Sequence, residues 1–199
     1  MPKQLKAPKV TDNAKKVAII EKHFAEIMTT LGLDLSDASL KNTPNRVAKM
    51  YVHEIFAGLH KPLPVITTFP NPNYDQMLVE RNVTVYTCCE HHFVPIVGKC
   101  HIAYIPGKKI IGLSKLIRVV QHFAAKPQIQ EGLTQEIGNH LQTVLGTENV
   151  AVVVDCVHFC CSMRGARDIN SSTVTSFLGG AFKEQATREE FINTIKLRI

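Results

Sequence analysis

The chain has 199 residues, of which 45% are hydrophobic and 20% charged. This composition is typical of a soluble globular protein and excludes a largely disordered one. No apolar run approaches the roughly 20 residues that cross a bilayer, and the basic N-terminus lacks the apolar stretch of a signal peptide. We therefore expect a cytoplasmic protein.

The net charge is +6, from 23 basic and 17 acidic residues. Such an excess favours a polyanionic partner, which can be a nucleic acid, a membrane surface or a nucleoside triphosphate. Part of it comes from lysines in residues 1–12, where two prolines and the absence of a periodic pattern predict a flexible basic tail. A solvated arm that aids solubility explains those lysines equally well.

The first elements are predicted helices. Apolar residues recur at helical spacing from about 14 to 31, and Thr43-Pro44 is typical of the start of a second helix, which we expect to end at Gly58. Four prolines between residues 62 and 72 indicate an extended connector. We therefore predict an N-terminal helical region over residues 13–70.

The residue pattern changes after this connector. Strands are predicted at 77–88 and 94–105, helices at 114–125 and 127–145, strands at 150–160 and 172–182, and a last helix at 187–197. Neither pair of consecutive strands leaves room for a crossover helix, so the sheet is predicted to be antiparallel. Residues 71–199 therefore read as an α+β domain.

Cysteine and histidine cluster at two points of this domain. Cys89 and His92 have a C-x-x-H spacing, which lets one turn offer a thiolate and an imidazole to one zinc ion. His158 and Cys160 are two residues apart on a predicted strand, so both project to one side while Cys161 points away. Cysteines of a cytoplasmic protein are more often metal ligands or core residues than disulfides. The sequence therefore predicts a metal site.

Five donors are available, because His91 precedes His92. A catalytic zinc site keeps one position open, and the economical partition assigns Cys89, His92 and Cys160 to the metal. His91 and His158 are then left for proton transfer near neutral pH. The spacing does not force this partition. A closed zinc site that joins two strands, or a zinc-free core with buried thiols, also fits the pattern.

Cationic residues near these donors indicate an anionic ligand. Ser114 lies at a predicted helix start with Lys115 and Arg118 in the first turn, where free N–H groups and the helix dipole favour phosphate. Ordinary solvated charges fit these three residues equally well. Arg164 follows closely on Cys160, and a basic loop so near the predicted metal site favours an anionic substrate.

Two further pairs are ambiguous by themselves. Arg46 and Lys49 share a helix face at i, i+3, and such a pair is most often a solvated basic surface. Glu131, beside Gln130, has the hydrogen-bonding groups to read a guanine edge. A solvated first-turn glutamate that complements the helix dipole is nevertheless the simpler interpretation of that residue.

Together these residues resemble the GTP cyclohydrolase I family, from Thr43-Pro44-Asn45-Arg46 through the C-terminal helix. The most specific motifs are Cys89-Glu90-His91-His92-Phe93-Val94, Gly112-Leu113-Ser114-Lys115, Gln128-Ile129-Gln130-Glu131, and Val157-His158-Phe159-Cys160 followed by Met163-Arg164-Gly165. They occur in the family's order. Gly132 departs from the arginine usual in the family, and Asn42 and His53 each stand where aspartate is common.

The resemblance implies a tunnelling fold, in which an antiparallel four-stranded sheet has two helices between its middle strands and N-terminal helices precede it. Residues 71–199 would be the catalytic domain. Subunits would form a homodecamer of two stacked five-membered rings, with sites shared between subunits. The family ligand set implies Zn²⁺ on Cys89, His92 and Cys160.

The resemblance also implies the reaction. GTP would be hydrolysed and rearranged to 7,8-dihydroneopterin triphosphate and formate, the first step towards tetrahydrofolate and other pterins. The zinc-activated water would attack C8 of guanine while His158 protonates the neighbouring ring nitrogen, and His91 would serve the ribose steps.

The substrate contacts are carried over in the same way. Gln130 and Glu131 would anchor guanine, and a neighbouring subunit would supply Arg46 and Lys49 to the triphosphate. The ribose and triphosphate would otherwise be held by Ser114, Lys115, Arg118 and Arg164.

Two other functions fit parts of this pattern. A nucleic-acid-binding module held by structural zinc would need aromatic stacking surface, and the chain has no tryptophan and only 7% aromatic residues. A relative on the same fold that acts on another heterocycle is disfavoured by the paired His91-His92 and by the cationic residues. We therefore expect neither a nucleic acid nor a membrane as a partner.

Overall fold

The computed structural model describes residues 12–197. The predicted flexible tail therefore lies outside the described residues, except for Asp12. The chain divides into two compact units, the first ending at Ala57 and the second beginning at Gly58. The sequence-based expectation put this change at residue 70, after the proline-rich connector. No helix within the described range is both long and apolar enough to cross a membrane.

The first unit contains the predicted N-terminal helices, α1 (Asn13–Thr30) and α2 (Thr43–Met50). The carboxylate of Asp12 caps α1 by accepting a hydrogen bond from the Ala14 amide. Pro44 lies in the first turn of α2, where its missing N–H costs nothing. The helix continues into a π-helical turn rather than running regularly to Gly58.

The second unit contains two sheets. The larger sheet consists of β2 (Leu78–Cys89), β3 (Pro95–Tyr104), β5 (Pro127–Gln128), β6 (Val150–His158) and β7 (Thr173–Leu178), and the smaller one of β1 (Thr68–Pro70) and β4 (Lys109–Ile111). The strand order of the larger sheet is β5-β2-β3-β6-β7. Its four long strands are antiparallel, as predicted, and β5 adds a short parallel edge beside the end of β2.

Two helices lie along the chain between the middle strands β3 and β6. They are α3 (Leu113–Ala124) and α4 (Gln130–Leu145). Both are amphipathic and bury their apolar side chains against one face of the sheet, forming the main core. The helix α6 (Gln185–Lys196) forms a smaller core through Phe191, which stacks edge-on against Phe182. This arrangement is the α+β domain that the residue pattern predicts, and it agrees with the tunnelling fold that the family resemblance implies.

One predicted strand ends earlier than expected. The apolar run from residue 150 predicted a strand to residue 160, but β6 ends at His158, and α5 (Phe159–Ser162) is one short helical turn. Cys160 therefore does not alternate with His158 along a strand, and the prediction of that geometry is wrong. Its position instead depends on the helical turn.

Candidate metal and substrate site

The turn between β2 and β3 brings the first two donors together. Cys89 is the last residue of β2, and its N–H and C=O bond to Val94 and Phe93 respectively, which closes the turn. Phe93 adopts a φ of 52°, so the chain reverses sharply. As a result His92 folds back over the strand end, with its Nδ1 3.9 Å from the Cys89 sulfur.

The third donor comes from α5. His158 pairs with Ile96 at the start of β3, so the end of β6 lies beside the β2–β3 turn. The following helical turn directs Cys160 towards that turn, and one donor atom from each of Cys89, His92 and Cys160 lies within 4.8 Å of the others. Among the described residues these three are the one such group of at least three donors. Cys161 is exposed and outside it.

The three side chains suit a zinc ion. Thiolate and imidazole are preferred zinc ligands, and tetrahedral bonds of the usual length separate sulfur from nitrogen by about 3.6 Å. The 3.9 Å between Cys89 and His92 is close to that spacing. Three protein ligands also leave a fourth position open, which is the arrangement of catalytic rather than closed structural sites.

The Cys160 thiol must lose its proton before it can act as a metal ligand. Burial and the adjoining Cys161 and Cys89 thiols raise the pKa of Cys160 to about 11. A thiol held in its protonated form by these neighbours becomes a thiolate when a metal ion binds, because the ligand must be deprotonated. Of the described cysteines, all six are free thiols.

The two histidines assigned to proton transfer have different surroundings. His91 is exposed, with Nδ1 3.6 Å from the Cys89 sulfur and Nε2 3.9 Å from the Glu90 carboxylate. His158 is half-buried at the end of β6. Burial lowers the pKa of His158 below its ordinary value, and the nearby Glu131 carboxylate acts in the opposite direction.

Gln130 and Glu131 begin α4 but face different environments. Glu131 is exposed near His158, so its carboxylate is available to a ligand. The Gln130 side chain is only 1% exposed, and its amide bonds to groups inside the protein. The side-chain N–H groups of Gln130 are therefore occupied inside the protein, and the assignment of this residue to guanine stays a prediction.

The start of α3 has the features of an anion site. Its first turn contains no acidic residue, and the N-cap Gly112 offers no side-chain hydrogen bond, so the first N–H groups lack that cap. Ser114 and Arg118 are exposed there, and Lys115 is half-buried. Arg164 lies near the metal cluster, with Nη1 3.0 Å from Nε2 of His92.

Arg46 and Lys49 belong to α2 of the first unit, and their assignment to a triphosphate stays a prediction. Two other residues, Thr134 and Thr175, have no distinguishing signal in the sequence. Their hydroxyls are 2.7 Å apart between α4 and β7, next to Gln130. Threonine is so common in strands that neither residue stood out before the pairing of these elements was known.

The fold and the donor group define a class, that of tunnelling-fold proteins with a three-donor group suited to a metal ion. A family profile described as GTP cyclohydrolase I matches residues 20–196. The chain therefore belongs to the GTP cyclohydrolase I family.

Individual relatives agree with this assignment. The chain is 52% identical over 190 residues to GTP cyclohydrolase 1 of Flavobacterium johnsoniae, covering 94% of this chain and 85% of that protein. It is 53% identical over 188 residues to the proteins of the same name from an Enterobacter species and from Salmonella arizonae, covering 93% of this chain and 85% of each relative.

Proposed function

We propose that this protein hydrolyses and rearranges GTP to 7,8-dihydroneopterin triphosphate and formate, as a zinc-dependent enzyme at the first step of tetrahydrofolate and pterin biosynthesis. The observation that carries the proposal is the Cys89, His92 and Cys160 group, found beside His158 in a member of this family. All six described cysteines are free thiols, which supports a reducing compartment such as the cytoplasm.

The metal and the histidines divide the chemistry. Cys89, His92 and Cys160 would hold a zinc ion, which would act as a Lewis acid and activate water at neutral pH. His158 donates a proton to the guanine ring nitrogen next to C8 as the ring opens. His91 is exposed at the same turn and is assigned to proton transfer during the ribose rearrangement.

Substrate binding rests on charge and on the start of α3. The N–H groups there, together with Lys115, Arg118 and Ser114, favour the triphosphate. Arg164 contributes a further guanidinium close to the metal cluster. We assign recognition of the guanine edge to Glu131, whose exposed carboxylate can accept hydrogen bonds from the ring N–H and the exocyclic amine.

We further propose that the chain works as a homodecamer of two stacked five-membered rings, in which Arg46 and Lys49 act in a neighbouring subunit's site. The exposed Tyr86 and Val174 support this proposal, because large hydrophobic side chains on sheet strands suit an interface. Arg46 and Lys49 lie one turn apart on α2, as a pair that binds one anionic group requires.

The test of the activity is incubation of zinc-loaded protein with GTP, followed by assays for formate and, after oxidation, for fluorescent neopterin. Replacing His158 with Ala is expected to abolish both products while zinc stays near one per chain. Replacing the exposed His23 of α1 in the same way serves as the control and is expected to leave turnover unchanged. Absence of formate at every zinc loading contradicts the proposal.

A further inference from the structure

Gln130 and His158 form a short hydrogen bond, with Nε2 of His158 2.7 Å from Oε1 of Gln130. We propose that Gln130 is a positioning residue, which keeps the proton on Nε2 of His158 so that Nδ1 is the nitrogen that exchanges protons with the substrate. This inference rests on the proposed function, in which His158 is the proton donor.

The direction of this bond follows from the other end of the amide. Nε2 of Gln130 lies 3.0 Å from the backbone oxygen of Val154 and 2.8 Å from that of Thr173. Both oxygens are acceptors only, so the amide must present its NH₂ group to them. A flipped amide would place Oε1 against two carbonyl oxygens. Oε1 therefore faces His158, whose Nε2 must donate.

The two threonines hold this amide further. Thr134 donates its hydroxyl proton to the backbone oxygen of Gln130, at 2.9 Å. The Thr175 hydroxyl, 2.7 Å from that of Thr134, therefore donates to Thr134, and its oxygen lies 3.0 Å from the Gln130 amide nitrogen, whose two N–H groups face the two carbonyl oxygens. With Gln130 only 1% exposed, water does not compete for these positions. The amide is therefore fixed by α4, β6 and β7 together.

The consequence is a defined path for the proton. In the cationic imidazolium both nitrogens of His158 carry a proton, and the one on Nε2 stays bonded to Gln130. The Nδ1–H bond breaks and its proton forms a new N–H bond with the lone pair of the guanine nitrogen. His158 is left as a neutral imidazole that keeps Nε2–H, and Nδ1 regains a proton from solvent.

The tautomer of neutral His158 tests the inference directly, without turnover. Solid-state ¹⁵N NMR on histidine-labelled, zinc-loaded protein distinguishes protonated from unprotonated ring nitrogens, and the spectrum of His158→Ala identifies the signals of His158. We expect Nε2–H in the wild-type protein and a mixture of tautomers in Gln130→Leu. Gln135 is exposed on the same helix, so Gln135→Leu is the matched control and is expected to leave the tautomer unchanged. Nδ1–H in the wild-type protein overturns the inference.

Kinetics separate positioning from direct binding of guanine. For Gln130→Leu we expect kcat to fall on the order of 100-fold, because a misdirected imidazole loses its acid–base contribution, while KM for GTP stays within a few-fold. A raised KM with unchanged kcat means that Gln130 instead contacts guanine, which overturns the inference. If Gln130→Leu fails to fold, the tautomer of the wild-type protein still decides the inference by itself. Nε2–H in a protein that produces no formate supports the positioning role and contradicts only the proposed function.

Discussion

Cys160 and Cys161 are adjacent thiols, with sulfurs 3.9 Å apart, that differ in their relation to the metal cluster. Only Cys160 belongs to the group with Cys89 and His92, whereas Cys161 is exposed. We expect Cys160→Ser to lose bound zinc, because a hydroxyl is a much poorer zinc ligand than a thiolate. Cys161→Ser is expected to keep about one zinc per chain. Metal analysis after dialysis against buffer of low zinc content measures both.

The adjacent histidines provide the control for this prediction. His92 belongs to the cluster, and His91, although its Nδ1 is 3.6 Å from the Cys89 sulfur, does not. His92→Asn should therefore lose zinc and His91→Asn should retain it. Retention of zinc by Cys160→Ser together with loss from Cys161→Ser would mean that the ligand is the other cysteine.

At the scale of single residues, the sequence predicted which residues form the metal cluster better than it predicted how the fold places them. A continuous strand predicts Cys160 rather than Cys161 as the metal ligand. The structure instead brings Cys160 to the cluster by a helical turn. The assignment of Gln130 to guanine stays a prediction, and the sequence does not indicate that its side chain bonds to Val154 and Thr173, on strands far away in sequence. Such bonds depend on how α4 packs against β6 and β7, which local spacing does not contain.

Two glycines of α4 have different surroundings. A Cβ on Gly138 would overlap the Phe177 ring of β7, whereas one on Gly132 would meet only Ile129, at an ordinary 3.7 Å. We expect Gly138→Ala to lower the free energy of unfolding by about 1–2 kcal/mol, because overpacking outweighs the gain in helix propensity. Gly132→Ala is expected to raise it by up to about 1 kcal/mol. Urea unfolding at equal protein and zinc concentrations measures both.

The partner residue provides the check on this explanation. In a Phe177→Ala background the ring is absent, so Gly138→Ala should become stabilising, by about as much as the helix propensity difference between alanine and glycine. Equal destabilisation by Gly138→Ala in both backgrounds would show that Phe177 is not the cause. These measurements also test whether Gly132, a departure from the family pattern, weakens the start of α4.

At the scale of elements, periodicity predicted the four long strands and the helices between them. The β-branched run of β6 and the apolar spacing of α3 are strong signals, because each pattern extends over nine residues or more. The two-residue strand β5 was predicted as the beginning of a helix at Pro127. Its pairing with Cys88 and Cys89 is a tertiary contact without a pattern of its own.

At the scale of the whole molecule, the residue pattern indicated an anionic ligand and a metal, while the substrate followed only from the resemblance. Net charge and a helix start favour any polyanion, so they do not distinguish GTP from other phosphates. The match over residues 20–196 makes the substrate of this family the natural proposal. A site shared between subunits requires several chains, so its test uses mixed oligomers.

Complementation between two defective variants tests whether sites are shared. Arg46→Ala/Lys49→Ala lacks the predicted triphosphate contacts, and His158→Ala lacks the proton donor, so each variant alone should turn over little GTP at low concentration. In mixed oligomers, a site that takes His158 from the first variant and Arg46 and Lys49 from the second is complete. Random assembly of equal amounts makes about a quarter of the sites complete in a ring of repeated interfaces.

The measurement is formate release by oligomers that carry two different affinity tags, purified in sequence after co-expression. Recovery near a quarter of the wild-type rate supports sites shared between subunits. A mixture of Cys89→Ser and His158→Ala is the control. Both residues belong to the second compact unit of one chain, so a site built from that unit always keeps one of the two defects. If Arg46 and Lys49 act within their own subunit, the first mixture stays as inactive as this control, since every site then retains one of the two defects.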